Sequence, residues 1–327
     1  MGASMKAIRI NETGGPSVMR LVDVEVPKPG PGQIRVRQTA IGLNYIDTYH
    51  RSGLYPLPLP SGIGLEAAGV VEEIGAGVTH LTPGDRIAYG TGPIGAYAEL
   101  RNLPANRVSK IPAAISDETA AGMMLKGMTV RYLVRETYKL SAGETILLHA
   151  AAGGVGLILG QWAKALGVTV IGTVGSAEKV AIAEAHGCSH VINYSSEDVV
   201  ARVKEITGGK GVPVVYDGVG QATLMTSLDC LRPRGLLVSF GNASGPVKAL
   251  DLGLLSAKGS LYVTRPTLGS YTATDDDLRA TAEDLIDMVV SGRVSIPVNQ
   301  RYPLAEAVKA HEDLEARRTT GTTVLIP

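Results

Sequence analysis

The sequence predicts an α/β protein in which a β-rich region precedes a doubly wound parallel sheet. Three observations predict it. The first third carries many short alternating runs punctuated by glycine and proline. The middle alternates strand-like and helix-like runs, the pattern of a parallel sheet covered on both faces. A glycine-rich turn joins the first strand of that middle region to its first helix.

Composition agrees. The 327 residues make room for about two domains. Hydrophobic residues at 45% against charged residues at 19% exclude a disordered chain. Lys and Arg number 31 and Asp and Glu number 31, so no global basic field exists to hold nucleic acid. Two cysteines, Cys188 and Cys230, cannot build a disulfide scaffold or a four-thiolate zinc site. Their scarcity fits a reducing, cytoplasmic compartment. Met5 reads as a natural start, with Met1–Ser4 an extension before it, and the first residues lack an apolar signal core. No run reaches ~18 uninterrupted apolar residues, so no membrane span is expected.

The elements follow in order. Strands are expected at Lys6–Ile10, Leu21–Val26, Gln33–Thr39, Ala68–Ile74 and Arg86–Tyr89, separated by turns such as Pro27–Gly32 and Pro83–Asp85. Acids open a helix at Asp117–Leu125, and a second helix follows at Thr129–Tyr138. Strand–helix pairs then run as Thr145–His149 with Val155–Leu166, Val168–Val174 with Ser176–His186, and His190–Asn193 with Ser196–Thr207. Pro213–Asp217 with Gln221–Leu231 is the last such pair, and strands Gly235–Phe240 and Ser260–Thr264 close the series. Asp275–Val290 and Leu304–Arg317 read as amphipathic helices and Thr322–Ile326 as a terminal strand.

The turn THR-to-glycine segment TILLHAAAGGVG, at 145–156, matches the G-x-G-x-x-G template with Ala151 in place of the first glycine. Gly153 lets backbone approach a pyrophosphate, and Gly156 lets helix pack on strand. A plain tight turn would need no such context, whereas strand, turn, helix and strand together point to a dinucleotide. An NAD enzyme usually places an acid on the ribose about twenty residues on. Here Gly175, Ser176 and Lys179 follow the second strand, and Ser176 and Lys179 can donate to a 2′-phosphate. NADPH is therefore expected rather than NADH, with Glu178 pointing elsewhere. Lys179 also fits a solvated helix charge.

Several segments now converge on one family. They are GLNYIDTY at 42–49, GLEAAG at 64–69, LKGMT at 125–129 and HAAAGGVG at 149–156. YDGVG at 216–220, SFGNASG at 239–245, KGSLYVTRP at 258–266 and Arg317 add to them. The sequence resembles the zinc-free quinone oxidoreductase, zeta-crystallin-like branch of the medium-chain dehydrogenase/reductase superfamily. That resemblance implies a Rossmann domain at 126–267 inserted in a GroES-like, β-rich catalytic domain made of 1–125 plus 268–327, with the active-site cleft between them. It implies a homodimer, formed where strand Ser260–Thr264 pairs across a twofold.

Zinc relatives use Cys, His and Cys. The first position is Asn44 here, the His of Gly-His-Glu is Leu65 before Glu66, and no Cys occurs before Cys188. Neither Asn nor Leu is a zinc ligand of the usual kind, so no metal is expected. Without a Lewis acid, acceptors that delocalise incoming charge are favoured, quinones above enones. The expected reaction is hydride transfer from NADPH to a quinone, with solvent or a tyrosine supplying the proton. The branch resemblance also allows one-electron transfer.

The resemblance also implies residue roles. Asn44 and Asp47 would line the nicotinamide end, and Tyr49 and Tyr55 would wall the substrate pocket. Thr129 would approach the nicotinamide ribose or phosphate. Gly153, Gly154 and Val155 would carry the pyrophosphate, and Gly175, Ser176, Lys179, Tyr194 and Arg317 would surround the 2′-phosphate. Phe240, Gly241, Asn242, Ser244, Val263, Thr264 and Arg265 would support the nicotinamide side. Blander roles stand beside these. Tyr49 and Tyr55 also fit packing, Asp47 a helix cap, and Tyr194 a surface residue. Lys126 fits either a salt bridge or a phosphate contact, Glu66 a structural role, and His149 a satisfied core histidine. An enone or alkenal reductase is the nearest alternative enzyme. A non-catalytic NADPH binder or AU-rich RNA binder is the alternative of another class, and the balanced charge argues against the latter.

Overall fold

The computed structural model describes residues 3–327, and the chain divides into two compact units. One holds the described residues to Met128 with Thr272–Val290 and Ile296–Pro327; the other holds Thr129–Tyr271 and Ser291–Ser295. The divisions thus fall at 128/129 and 271/272 rather than at 125/126 and 267/268, and a short return at 291–295 joins the inserted unit.

The first unit opens with β1 (Ala3–Ile10), β2 (Arg20–Val26), β3 (Gln33–Leu43), α1 (Tyr45–Ser52), β4 (Ser61–Gly62) and β5 (Glu66–Ile74). It continues through β6 (Arg86–Tyr89), β7 (Leu100–Pro104), β8 (Ser109–Lys110) and α2 (Asp117–Tyr132). β1 pairs antiparallel with β2 and β4. Ala3 and Ser4, expected to precede the fold, pair with Val26 and Glu25, whereas Met1 and Gly2 lie outside the described residues. β3 runs past Thr39 to Leu43, because its last four residues are all buried and keep pairing after alternation stops.

The break expected between Asp117–Leu125 and Thr129–Tyr138 is absent at Gly127. α2 runs through it, because Leu285 packs where a side chain would be: a Cβ on Gly127 would lie 2.4 Å from Leu285 Cδ1. A π-helical turn, Leu133–Thr137, follows α2 in place of the expected second helix.

The second unit carries β9 (Thr145–Leu148), α3 (Gly154–Ala165), β10 (Thr169–Val174), α4 (Ala177–Ala185), β11 (His190–Asn193) and α5 (Val199–Ile206). Then come β12 (Val212–Asp217), α6 (Leu224–Cys230), β13 (Leu231–Ser239), α7 (Leu252–Ala257), β14 (Tyr262–Thr264) and α8 (Leu268–Tyr271). All six strands are parallel, in the order β11-β10-β9-β12-β13-β14. This is the Rossmann order, which reverses between β9 and β12, and ligands of such sheets bind outside the strand ends at that reversal. Every residue of β12 is buried, as a strand covered on both faces requires. Leu147, Ile171, Ile192, Val215 and Leu237 form the core of one face.

The first unit closes with α9 (Asp275–Val290), β15 (Val298–Pro303), α10 (Ala307–Glu315) and β16 (Thr322–Ile326). β16 pairs antiparallel with β3, so chain end and chain start share the sheet β15-β16-β3-β5-β6-β8, with β7 also on β3. Ile34, Ile41, Ile87, Leu103 and Leu325 fill its core.

Candidate active site

In the second unit the glycine turn sits at the end of β9. Ala150 takes a left-handed φ of 55°, and Gly153 caps α3 with no side chain on the helix end. The first amides of α3 belong to Gly154, Val155 and Gly156, and a helix start leaves such donors open to an anion. Gly156 has no space for a side chain, since a Cβ would meet Ala150 O at 2.4 Å. Gly153 has only Ala150 O at 3.3 Å in its way. The two glycines therefore do different work: Gly156 closes the turn and Gly153 keeps its outer surface flat.

β10 ends at Val174 with no carboxylate, and Gly175, Ser176 and Tyr194 gather there. A Cβ on Gly175 would collide with Tyr194 Oη. Lys179 lies in the first turn of α4, its amide bonded to Ser176 O at 3.2 Å. Glu178 does not point away as expected. The Ser176 hydroxyl donates to its carboxylate, which holds Glu178 below its ordinary range. The reason is local: Ser176 caps the helix, and a first-turn acid reaches back to it. Arg317 belongs to the other unit, at a φ of 59° just after α10, within electrostatic reach of Tyr45.

The loop after β13 carries Phe240, Gly241, Asn242 and Ser244. Ser244 is occupied with its own scaffold: Oγ donates to Val219 O at 2.9 Å and accepts from Ala222 N at 2.9 Å. It ties this loop to the one after β12, and so positions Phe240 to Asn242. Val263 and Thr264 lie on β14, Arg265 just beyond it, and Thr129 is nearly buried on α2. His149 is a core histidine, bonded to Thr173 Oγ1 at 2.9 Å and Ser227 Oγ at 3.0 Å. Ser227 donates onward to Asp217 Oδ2 at 2.7 Å. Cys188 and Cys230 are buried free thiols, both pushed up to about 12 by burial, and so are inert.

In the first unit the cluster gathers at the start of α1. Asn44 Nδ2 donates to Glu66 Oε2 at 2.7 Å, and Lys126 Nζ lies 3.3 Å from the same oxygen. Glu66 Oε1 accepts from Leu125 N at 2.8 Å. Lys126 is thus in a buried salt bridge, the first of its two readings, and Glu66 has the structural role of joining β5 to α2. Asp47 caps the backbone of Asn44 through Oδ2 at 2.9 Å, and Tyr97 Oη donates to the same oxygen at 2.9 Å. Its side chain is 0% exposed. Burial pushes it up to about 7, against the lowering effects of the Asn44 amide, Tyr97 and Lys126. Tyr49 and Tyr55 meet edge to face with ring centres 5.2 Å apart.

The comparisons bear on what these groups are for. Residues 30–113 match the alcohol dehydrogenase GroES-like domain family, and residues 154–289 the zinc-binding dehydrogenase family. A curated quinone oxidoreductase of Pseudomonas aeruginosa is 58% identical over 98% of this chain and 99% of its own. The chain belongs to the quinone oxidoreductase branch of the medium-chain dehydrogenase/reductases. A solved Escherichia coli quinone oxidoreductase complexed with NADPH shares 52% identity, with a TM-score of 0.97 over 99% of this chain and 100% of that one. A 2-haloacrylate reductase from a Burkholderia species is 47% identical over 97% of this chain and 98% of its own.

Within this quinone oxidoreductase family, the chain departs from the zinc-binding description that its second domain matches. The Asn44 amide is taken by Glu66, and Leu65 offers no ligating atom. Among the described residues, no group of three or more His, Cys, Asp or Glu is gathered so as to hold a metal ion. Sequence reasoning missed Arg51, which shares α1 with Asp47, and Tyr97 and His311, which the fold brings from distant positions: Tyr97 bonds Asp47, and His311 links Tyr97 to Arg51. No local signal announces them, because the partners lie up to 260 residues apart.

Proposed function

We propose that this chain is an NADPH-dependent quinone reductase that works without zinc. The observation that carries this reading is the full-length likeness to the Pseudomonas aeruginosa quinone oxidoreductase. The fold of the NADPH-complexed Escherichia coli enzyme supports the cofactor. The residues fit it: an open helix start at α3, no acid at the end of β10, and Ser176 and Lys179 beyond it.

NADPH, when bound, supplies a hydride from C4 of its nicotinamide. The chain binds and orients. The amides that open α3 would hold the pyrophosphate, and Gly153 puts no side chain over them. Ser176, Lys179 and Tyr194 would hold the 2′-phosphate, with the Ser176 hydroxyl, which donates to Glu178 in this structure, as one donor. On the inserted unit Thr129 and the Phe240–Asn242 loop would serve the nicotinamide; on the first unit Asn44 would serve it too, and Tyr49 and Tyr55 would wall the quinone. Holding donor and acceptor in register provides most of the acceleration. A quinone spreads incoming charge over its own ring, so it has the least need of a Lewis acid.

A second reading is reduction of an activated alkene, which the name of the Burkholderia relative favours. We place the protein in the cytoplasm as a homodimer. Two buried free thiols support the compartment. The open edge of β14, with Tyr262 61% exposed, supports the dimer.

The test is NADPH oxidation by the chelator-treated protein with 1,4-benzoquinone, 9,10-phenanthrenequinone and 3-penten-2-one in parallel, and NADH as control. Quinone turnover that prefers NADPH is expected. Turnover with the enone alone would transfer the assignment to alkene reduction.

A further inference from the structure

Asp47 stands at the inner end of a hydrogen-bond chain that starts on the last helix of the fold. Glu315 receives two bonds from Arg51, NH1 to Oε2 at 3.0 Å and NH2 to Oε1 at 2.7 Å. Arg51 NH1 also meets His311 Nδ1 at 2.9 Å. His311 Nε2 meets Tyr97 Oη at 3.0 Å, and Tyr97 Oη meets Asp47 Oδ2 at 2.9 Å. Arg51, His311, Tyr97 and Asp47 are all buried, and Glu315 reaches the surface.

The direction of this chain follows from donor chemistry. A guanidinium can only donate, so Nδ1 of His311 must accept. The neutral ring then carries its hydrogen on Nε2 and donates to the Tyr97 oxygen. The Tyr97 hydrogen is left to point at Asp47. From Arg51 to Asp47 every bond therefore runs inward, while Arg51 donates outward to Glu315, and none can be reversed while Arg51 stays in place. Asp47 Oδ2 receives Tyr97 Oη–H and Asn44 N–H together. Asp47 Oδ1, also buried, has no hydrogen-bond partner among the described residues.

The local charges point the same way. The groups that face Asp47 are Lys126 and Glu66, beside Tyr97 and the Asn44 amide. Lys126 is already paired with Glu66. Arg51 is already paired with Glu315. An ionised Asp47 would be a second carboxylate beside a single ammonium, and an uncompensated buried charge is costly. A proton on the vacant oxygen removes that cost without disturbing either bond to Oδ2.

We propose that Asp47 is a proton-holding acid of this enzyme, with Oδ1 as the atom that takes and gives the proton, and that Tyr97, His311 and Arg51 are positioning residues that fix Oδ2 as an acceptor. Its part in turnover rests on the quinone reductase reading; its protonation in the resting protein does not. Hydride addition to a quinone leaves an oxyanion that needs one proton. The O–H bond at Oδ1 breaks, an O–H bond forms on the reduced quinone, and the carboxylate left behind keeps both donors to Oδ2. Solvent returns the proton before the next cycle. Burial, which sets Asp47 at about 7, makes both states accessible near neutrality.

The experiment is a carboxyl-carbon NMR titration of the cofactor-free, full-length protein labelled at aspartate, run beside the pH profile of quinone reduction. One carboxyl is expected to titrate near neutrality and to vanish in Asp47→Asn. In Tyr97→Phe, which loses one donor to Oδ2 and keeps the ring, the same carboxyl should titrate at higher pH. The rate should fall as pH rises through the same midpoint, and that midpoint should move with Tyr97→Phe. Should Asp47→Asn not fold, the displacement in Tyr97→Phe still assigns the signal. An Asp47 that titrates in the ordinary carboxylate range, or that ignores Tyr97→Phe, overturns the relay. A rate profile indifferent to that midpoint removes Asp47 from turnover. A protein that reduces no quinone would overturn the reading of function and the role in turnover, while the titration would still decide the relay.

Discussion

Asp47 is pushed up to about 7 by burial, and His311 is pushed down to about 3 by burial and then by the Arg51 charge. These two shifts have opposite linkage. Asp47 binds its proton more tightly in the folded chain, so its contribution to stability is full below pH ~4 and declines up to about 7. His311 binds its proton less tightly when folded, so its contribution is full above pH ~6.5 and declines as pH falls towards about 3. Between pH ~4 and ~6.5 the two cancel, because folding in effect takes a proton from His311 and gives one to Asp47. Each single variant should expose the other slope. Relative to Asp47→Asn, the wild type should lose about 1.4 kcal/mol per pH unit as pH rises across that window. Relative to His311→Gln, it should gain about the same. Urea unfolding from pH ~4 to ~6.5 measures both. Parallel curves for wild type and Asp47→Asn would mean that Asp47 is not protonated on folding.

The turn from β9 into α3 separates two uses of glycine. At Gly156 a methyl would strike backbone oxygens of Ala150 and Ala151, which cannot move aside as a side chain tip can. Gly156→Ala should cost about 1–3 kcal/mol in unfolding free energy. At Gly153 the backbone is extended, with a φ of −81°, and a methyl would meet only Ala150 O at 3.3 Å, a tight contact that a small shift relieves. Gly153→Ala should cost under about 1 kcal/mol of stability yet weaken NADPH binding ~10-fold, about 1.4 kcal/mol. Paired melts and NADPH titrations check this, and equal stability of the two variants would contradict it. The same turn shows what sequence makes legible. Its glycines, flanking strand and helix are contiguous, so their pattern can be read directly. The alternating runs of the parallel sheet are legible for the same reason. The continuity of α2 across Gly127 is not legible, because a glycine that admits Leu285 looks identical, in sequence, to one that ends a helix. Glu178 was misread because its reach back to Ser176 depends on a rotamer. The chain from Glu315 to Asp47 was invisible because its members come from α10, the far end of α1 and the segment before β7, and only the fold brings them together.

At the scale of the whole molecule, β14 ends its sheet and leaves Tyr262 and Val263 exposed on the open edge. An edge of that kind invites a second copy of itself. The protein should sediment as a dimer and Tyr262→Lys as a monomer; a monomeric wild type would contradict the proposed assembly. The family resemblance read from scattered motifs agrees with relatives that match along nearly the full chain. What motifs could not supply is the origin of the proton, since that depends on burial and pairing rather than on residue type. The central claim remains that this chain passes hydride from NADPH to a quinone without metal. Its most direct test is a single turnover: chelator-treated protein loaded with NADPH is mixed with 1,4-benzoquinone, and NADPH and hydroquinone are followed together. One hydroquinone per NADPH consumed, formed much faster than without protein and faster than with NADH, is the predicted result. NADPH that stays bound and unoxidised would contradict the account.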